Sequence, residues 1–305
     1  MRLLVTGASG LLGLNLSLVA ASQGHEVTGL VNSRSLRDVP FDVRQVDLLN
    51  TDSALVAVEA GRPEAIEHCA AVANINAAEQ QPDLAMRLNA EVPGRLAEAS
   101  AGWGIPFVHI STDAVFDGQR GGYTEEDNTH PLSVYARTKL AGEQAVRSSN
   151  PDALIVRTVF YGWSLSGKRS LAEFFFNRLN AGEPFQGFSD TLFCPLYVED
   201  LASTILEMLS RSLTGTYHVV APESLSKYEF GVRVARLFGF NPDLITPIQA
   251  RDLERGAARS LNLTLSPAKV QDSLGHSLPA VDEGLARFYR RRQEGYPERL
   301  RTYAA

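Results

Sequence analysis

The 305-residue sequence holds only two cysteines, Cys69 and Cys194, and they lie far apart without metal-like spacing. That pattern excludes a disulfide framework, and both thiols read as small buried hydrophobes in a reducing compartment. Positive charge is also short. With 29 basic against 35 acidic residues and a net charge of -6, the chain lacks the basic footprint needed for sequence-independent nucleic-acid binding. Long hydrophobic runs are missing. Leu11 to Ala21 is apolar, yet Asn15 and Ser17 interrupt it, no basic segment or cleavage site frames it, and it is too short to span a bilayer. A cytoplasmic chain without a membrane partner is therefore expected. No low-complexity tract or internal repeat is present, and 44% hydrophobic with 21% charged residues is ordinary for a chain folded nearly throughout.

What is there is a rhythm. Leu3–Thr6, Val27–Val31, Val43–Val46, Ala65–Cys69, Phe107–Ile110 and Leu154–Arg157 read as strands. Between them Leu11–Ser22, Asp52–Ala60, Pro82–Ala101 and Val134–Arg147 read as helices. The alternation predicts an α/β fold, a doubly wound parallel sheet of Rossmann type with a smaller C-terminal α/β lobe. Residues 1–160 would form the dinucleotide-binding domain. Helix Val198–Ser210 and strand Thr216–Val220 would return segment 197–220 to it, leaving 161–196 and 221–305 as a lobe closing over the ligand.

The first strand runs straight into Gly7-Ala8-Ser9-Gly10-Leu11-Leu12-Gly13 and then an apolar helix. The three glycines allow a tight turn and a close backbone approach, and the helix N-terminus offers free N–H groups to a pyrophosphate. Strand, turn and helix in that order point to a nicotinamide dinucleotide. After the second strand comes Asn32-Ser33-Arg34, where an acidic residue would suit NAD. Arg34 suits a 2′-phosphate, so NADP(H) is expected ahead of NAD(H); a solvated loop arginine is the plain alternative.

Tyr135 and Lys139 stand four apart in a helical stretch and share one face. An ammonium beside a phenol lowers its pKa, which would make Tyr135 a general acid for a carbonyl being reduced. Thr112, in Ile110-Ser111-Thr112-Asp113, could donate to the same substrate oxygen.

These motifs, with Val46-Asp47-Leu48, His68-Cys69-Ala70-Ala71, Asn89, Ser111 to Gly118, Pro131 to Tyr135 and Thr138 to Glu143, resemble the extended short-chain dehydrogenases/reductases. Within that family the likeness is to the dTDP-4-dehydrorhamnose reductase group, over nearly the whole chain. The resemblance implies that Ser9, Leu11 and Leu12 belong to the cofactor turn, that Asp47 and Leu48 meet the adenine, and that Ala70 and Ala71 wall the cofactor. It implies Thr112, Tyr135 and Lys139 as the catalytic group, with Lys139 also on the nicotinamide ribose and Asn89 near the active site. A cap or kink is the other reading of Asn89.

The implied function is NADPH-dependent reduction of a nucleotide-linked 4-keto-6-deoxysugar. Related dehydratases carry an Asp-Glu pair after the threonine, whereas this chain has Asp113-Ala114, which disfavours dehydration. The resemblance places Phe160, Asp190 and Arg259 at the substrate, with Trp163 as the alternative to Phe160. It implies no metal, because Asn15 stands near the position of the acidic cluster some relatives use, and leaves a homodimer open. The chain also resembles the regulatory β subunit of methionine adenosyltransferase, so an NADP-binding regulatory subunit is one rival and a sugar-nucleotide epimerase another. His68 reads as a packed histidine, and Arg287 and Arg290 to Arg292 as a solvated basic face.

Overall fold

The computed structural model describes residues 1–252 and 260–305. Seven strands form one parallel sheet: β1 (Arg2–Thr6), β2 (Glu26–Val31), β3 (Asp42–Gln45), β4 (Ala65–His68), β5 (Phe107–Thr112), β6 (Leu154–Thr158) and β7 (Gly215–His218). Their order is β7-β6-β5-β4-β1-β2-β3. The chain fills one half of the sheet outward from β1, then crosses to β4 and fills the other. The crevice at the carboxyl ends of β1 and β4 is thus the switch point at which open α/β sheets bind ligands.

Both faces of the sheet are covered, so the central strands carry apolar side chains without alternation. Helices α1 (Leu11–Ser22), α2 (Thr51–Gly61), α3 (Val92–Trp103) and α4 (Val134–Ser149) follow the strands much as their periodicity predicts. One helix departs from expectation. The run expected over Pro82–Ala101 divides into a short helix at Pro82–Met86, a π turn at Arg87–Glu91, and α3. Pro93 has no N–H to return to the Asn89 carbonyl four residues back, and the ladder widens there.

Helices α5 (Leu171–Asn180), α6 (Val198–Ser210) and α7 (Lys227–Phe238) build the second half of the molecule with α8 (Val281–Gln293) and α9 (Tyr296–Thr302). Short two-stranded pairs join Phe160–Tyr161 to Leu196–Tyr197 and Phe185–Phe188 to Ile245–Ile248. An aromatic core fills the space between them, with Trp163 stacked on Phe288 at 4.0 Å and Tyr161 edge-on to Phe230. Helix α6 lies along α1, which explains why α1 buries apolar residues on more than one side. The arginines of α8 are partly used there rather than solvated: Arg287 pairs with Asp200 and Arg291 with Glu199, both on α6. Among the described residues no helix is long and apolar enough to cross a membrane.

Candidate active site

Thr6 ends β1 inside the sheet, and Gly7 turns the chain with φ +67°, a conformation open to glycine without strain. A Cβ at Gly7 would stand 2.8 Å from the Ala70 backbone, and one at Gly13 would run into the Gly7 carbonyl, so the turn closes only on glycine. The Gly10 N–H donates back to the Gly7 carbonyl at 2.8 Å. No side chain caps α1, whose first-turn N–H groups are left for a ligand.

A cleft of about 390 Å³ opens beside that turn. Its lining brings together eight residues expected from the sequence: Gly10, Leu11, Leu12 and Gly13 from the turn, Ala71 from the segment after β4, Tyr135 and Lys139 from α4, and Phe160. Ser133 starts α4 by accepting from the Ala136 N–H at 3.2 Å, which fixes where Tyr135 and Lys139 enter. Of Phe160 and Trp163, Phe160 lines the cleft, while Trp163 is core, with Nε1 donating to the Phe288 carbonyl at 2.9 Å.

Burial dominates the site's electrostatics. It pushes the Tyr135 hydroxyl up to about 12, only partly offset by the Thr112 hydroxyl. Burial also brings the Lys139 ammonium down to about 8, against the carboxylate of Glu143. Burial thus outweighs the lowering expected from Lys139. The lysine Nζ lies 3.3 Å from His109 Nε2, a histidine kept neutral by burial and by the nearby ammonium. Asp113, driven up to about 6 by burial, accepts from Thr112 Oγ1 at 3.0 Å.

Asn89 lies behind the cleft. Its Oδ1 accepts from the Val72 N–H at 2.8 Å, while Nδ2 donates to the Val72 carbonyl and to Thr138 Oγ1. It braces the segment after β4 against α4. The Leu48 side chain is buried in a cluster with Leu4, Leu30 and Ala54. Asp47 is exposed and accepts from the Leu49 N–H at 3.0 Å. Ser9 and Ala70 are half-buried at the turn, and Asn32 and Arg34 are exposed after β2. The Asp190 carboxylate takes the Ala250 and Arg251 N–H groups, fastening its own loop. Arg259 lies outside the described residues.

The model for the RmlD substrate binding domain matches residues 1–294. The chain belongs to that family. Among RmlD-domain relatives, the probable low-salt glycan biosynthesis reductase Agl14 of Haloferax volcanii is 35% identical over 92% of this chain and 95% of its own length. The methionine adenosyltransferase 2 subunit beta of Rattus norvegicus is 32% identical over 88% of this chain and 81% of its own. A dTDP-4-dehydrorhamnose reductase of Bacillus anthracis, solved in complex with NADP, superposes with a TM-score of 0.84 at 30% identity, covering 95% of this chain and 98% of that one.

The site residues expected from this RmlD-domain sequence leave out eight further lining residues: Cys69, Ala73, Asn74, Ile110, Ser111, Thr158, Lys168 and Arg169. Nothing local marks the last two, since they follow a loop with no motif and reach the cleft only when the chain folds back from Phe160. Their one sequence signal is the capping pair Ser170 and Glu173 that immediately follows them and fixes a helix start.

Proposed function

We propose that this chain is a cytoplasmic reductase that uses NADPH to reduce the ketone of a nucleotide-linked 4-keto-6-deoxysugar. The observation that carries the reading is that the glycine turn shares one cleft with Tyr135 and Lys139. The cradle suits a dinucleotide: Gly7 and Gly13 leave no room for a Cβ, α1 is uncapped, and Arg34 is exposed for a 2′-phosphate. The Bacillus anthracis relative was solved with NADP, in line with NADP(H) ahead of NAD(H).

When bound, the reduced nicotinamide supplies a hydride to the carbonyl carbon. Tyr135, protonated at neutral pH, gives its hydroxyl proton to the carbonyl oxygen, so that the product is the alcohol. Thr112 turns its hydroxyl from Asp113 to that oxygen. Lys139, cationic below about pH 8, stabilises the phenolate that remains. Asp113 is followed by Ala114, so the acid–base pair that dehydration needs is missing at that place.

The test is consumption of NADPH, followed by absorbance, with a panel of nucleotide-linked 4-keto sugars. Wild type should reduce at least one, and Tyr135→Phe should lose about 100-fold or more in rate. Full activity in the variant, or no reduction of any ketone, refutes the reading. The rat relative, named as a subunit of another enzyme, favours one rival. Tight NADP+ binding with no turnover across the panel would support that regulatory role.

A further inference from the structure

We propose that Lys168 and Arg169 are the cationic half of the dinucleotide site, closing on its pyrophosphate from the segment that follows Phe160. The inference rests on the cofactor reading above and assigns its phosphate contacts. The chain as a whole is acidic, with a net charge of -6. The cleft reverses that sign. Among its described lining residues Lys139, Lys168 and Arg169 carry charge and no carboxylate does. The first turn of α1, Leu11 to Gly13, offers N–H groups but no cation, so two phosphate charges there would be met by partial dipoles alone.

The backbone beneath the two side chains is firmly held. The Arg169 N–H donates to Glu173 Oε2 at 2.8 Å, and Glu173 is fully buried. Ser170 Oγ donates to the Gly162 carbonyl at 2.7 Å, and Asn177 Nδ2 to the Gly167 carbonyl at 2.8 Å. The other end of the loop is tied to the cofactor helix itself, because Asn15 Nδ2 on α1 donates to the Trp163 carbonyl at 3.0 Å. The side chains contrast with this base. Both residues are exposed, and neither side chain forms an ion pair or hydrogen bond with the described residues, whereas Arg157, Arg287 and Arg291 are each paired. A rigid base with free cationic ends can meet an anion at little ordering cost. Guanidinium and ammonium groups on phosphate oxygens form the stronger, charge-assisted kind of hydrogen bond.

A diphosphate can arrive from the dinucleotide or from a nucleotide-linked sugar. The glycine turn in the same cleft favours the dinucleotide. Titration calorimetry with NADP+ and, separately, with dTDP separates the two, using wild type, Lys168→Ala, Arg169→Ala and the double variant. Both positions are exposed, and far-ultraviolet dichroism checks that the variants fold. The double variant should bind NADP+ about tenfold or more weakly, with a shallower dependence of Kd on salt, while dTDP binding stays within about twofold. A variant holding NADP+ as tightly as wild type overturns the assignment. So does a loss confined to dTDP, which would give the cations to the sugar nucleotide. If wild type itself takes no NADP+, the cofactor reading fails first and this assignment with it.

Discussion

Glu67 is the residue that no motif accounts for. It sits in the middle of β4, beside Val5 and Val108, fully buried, and neither carboxylate oxygen has a hydrogen-bond partner among the described residues. Burial raises its pKa from 4.5 to about 8, so at neutral pH the side chain is held as the neutral acid. The folded state then keeps a proton that the unfolded chain releases above about 4.5. Stability should fall as pH rises between about 4.5 and 8, at roughly 1.4 kcal/mol per pH unit, with no penalty below that window. Glu67→Met fills the same space without a polar group. It should be more stable than wild type at pH 7, on the order of 3 kcal/mol, and should lose that pH dependence. Thermal melts of both proteins at pH 5, 6.5 and 8 read this out, and parallel curves would mean that the carboxyl is solvated in solution. The sequence offered no hint here, because a glutamate within a strand reads as a solvent-facing position until the sheet covers both its faces.

At the scale of elements, the contact that holds α4 in place is the meeting of its Gly142 with the Asn89 carbonyl in the π turn. A Cβ at position 142 would run into that oxygen. Gly142→Ala should therefore push α4 off the turn, cost about 1–3 kcal/mol, and weaken whatever binds at Tyr135 and Lys139. Denaturant unfolding together with NADP+ titration measures both effects, and a variant as stable as wild type would show that the turn yields freely. What could be read beforehand follows the same line. β1, the glycine turn and α1 were legible because their glycine spacing and apolar runs are local. So was the shared face of Tyr135 and Lys139, a matter of four residues in one helix. The π turn was not legible: Pro93 suggests a helix start as readily as an interrupted ladder, and the partner that decides, Gly142, lies about fifty residues further along. Glu143 is a similar case, since its bidentate pairing with Arg157 on β6 and its bond from Ser111 on β5 exist only once α4 has docked.

Across the whole molecule, the C-terminal end of the chain meets the loop that carries Asn32 and Arg34. The Arg37 N–H donates to the Tyr303 carbonyl at 2.9 Å, and Leu36 bridges Ala304. Helix α9 is itself pinned to α1 through Tyr296 Oη, which donates to Asn15 Oδ1 at 2.9 Å, and the amide of that same Asn15 holds the loop leading to Lys168 and Arg169. One buried asparagine thus connects the cofactor helix, the basic loop and the last helix, which sequence alone had assigned to a separate lobe. The local consequence concerns cofactor choice. Arg34 is exposed and makes no ion pair among the described residues, so its usefulness to a 2′-phosphate depends on how firmly its loop is placed. Deleting residues 303–305 removes the backbone contacts that steady this loop while leaving α9 and the Tyr296 bond intact. The truncated protein should bind NADP+ about three- to tenfold more weakly, and NAD+, which has no phosphate for Arg34 to meet, within about twofold of wild type. Competitive titration with both dinucleotides decides it: equal losses would mean that the C-terminal residues support the fold and not the phosphate contact, and no loss would mean that the loop holds its shape unaided.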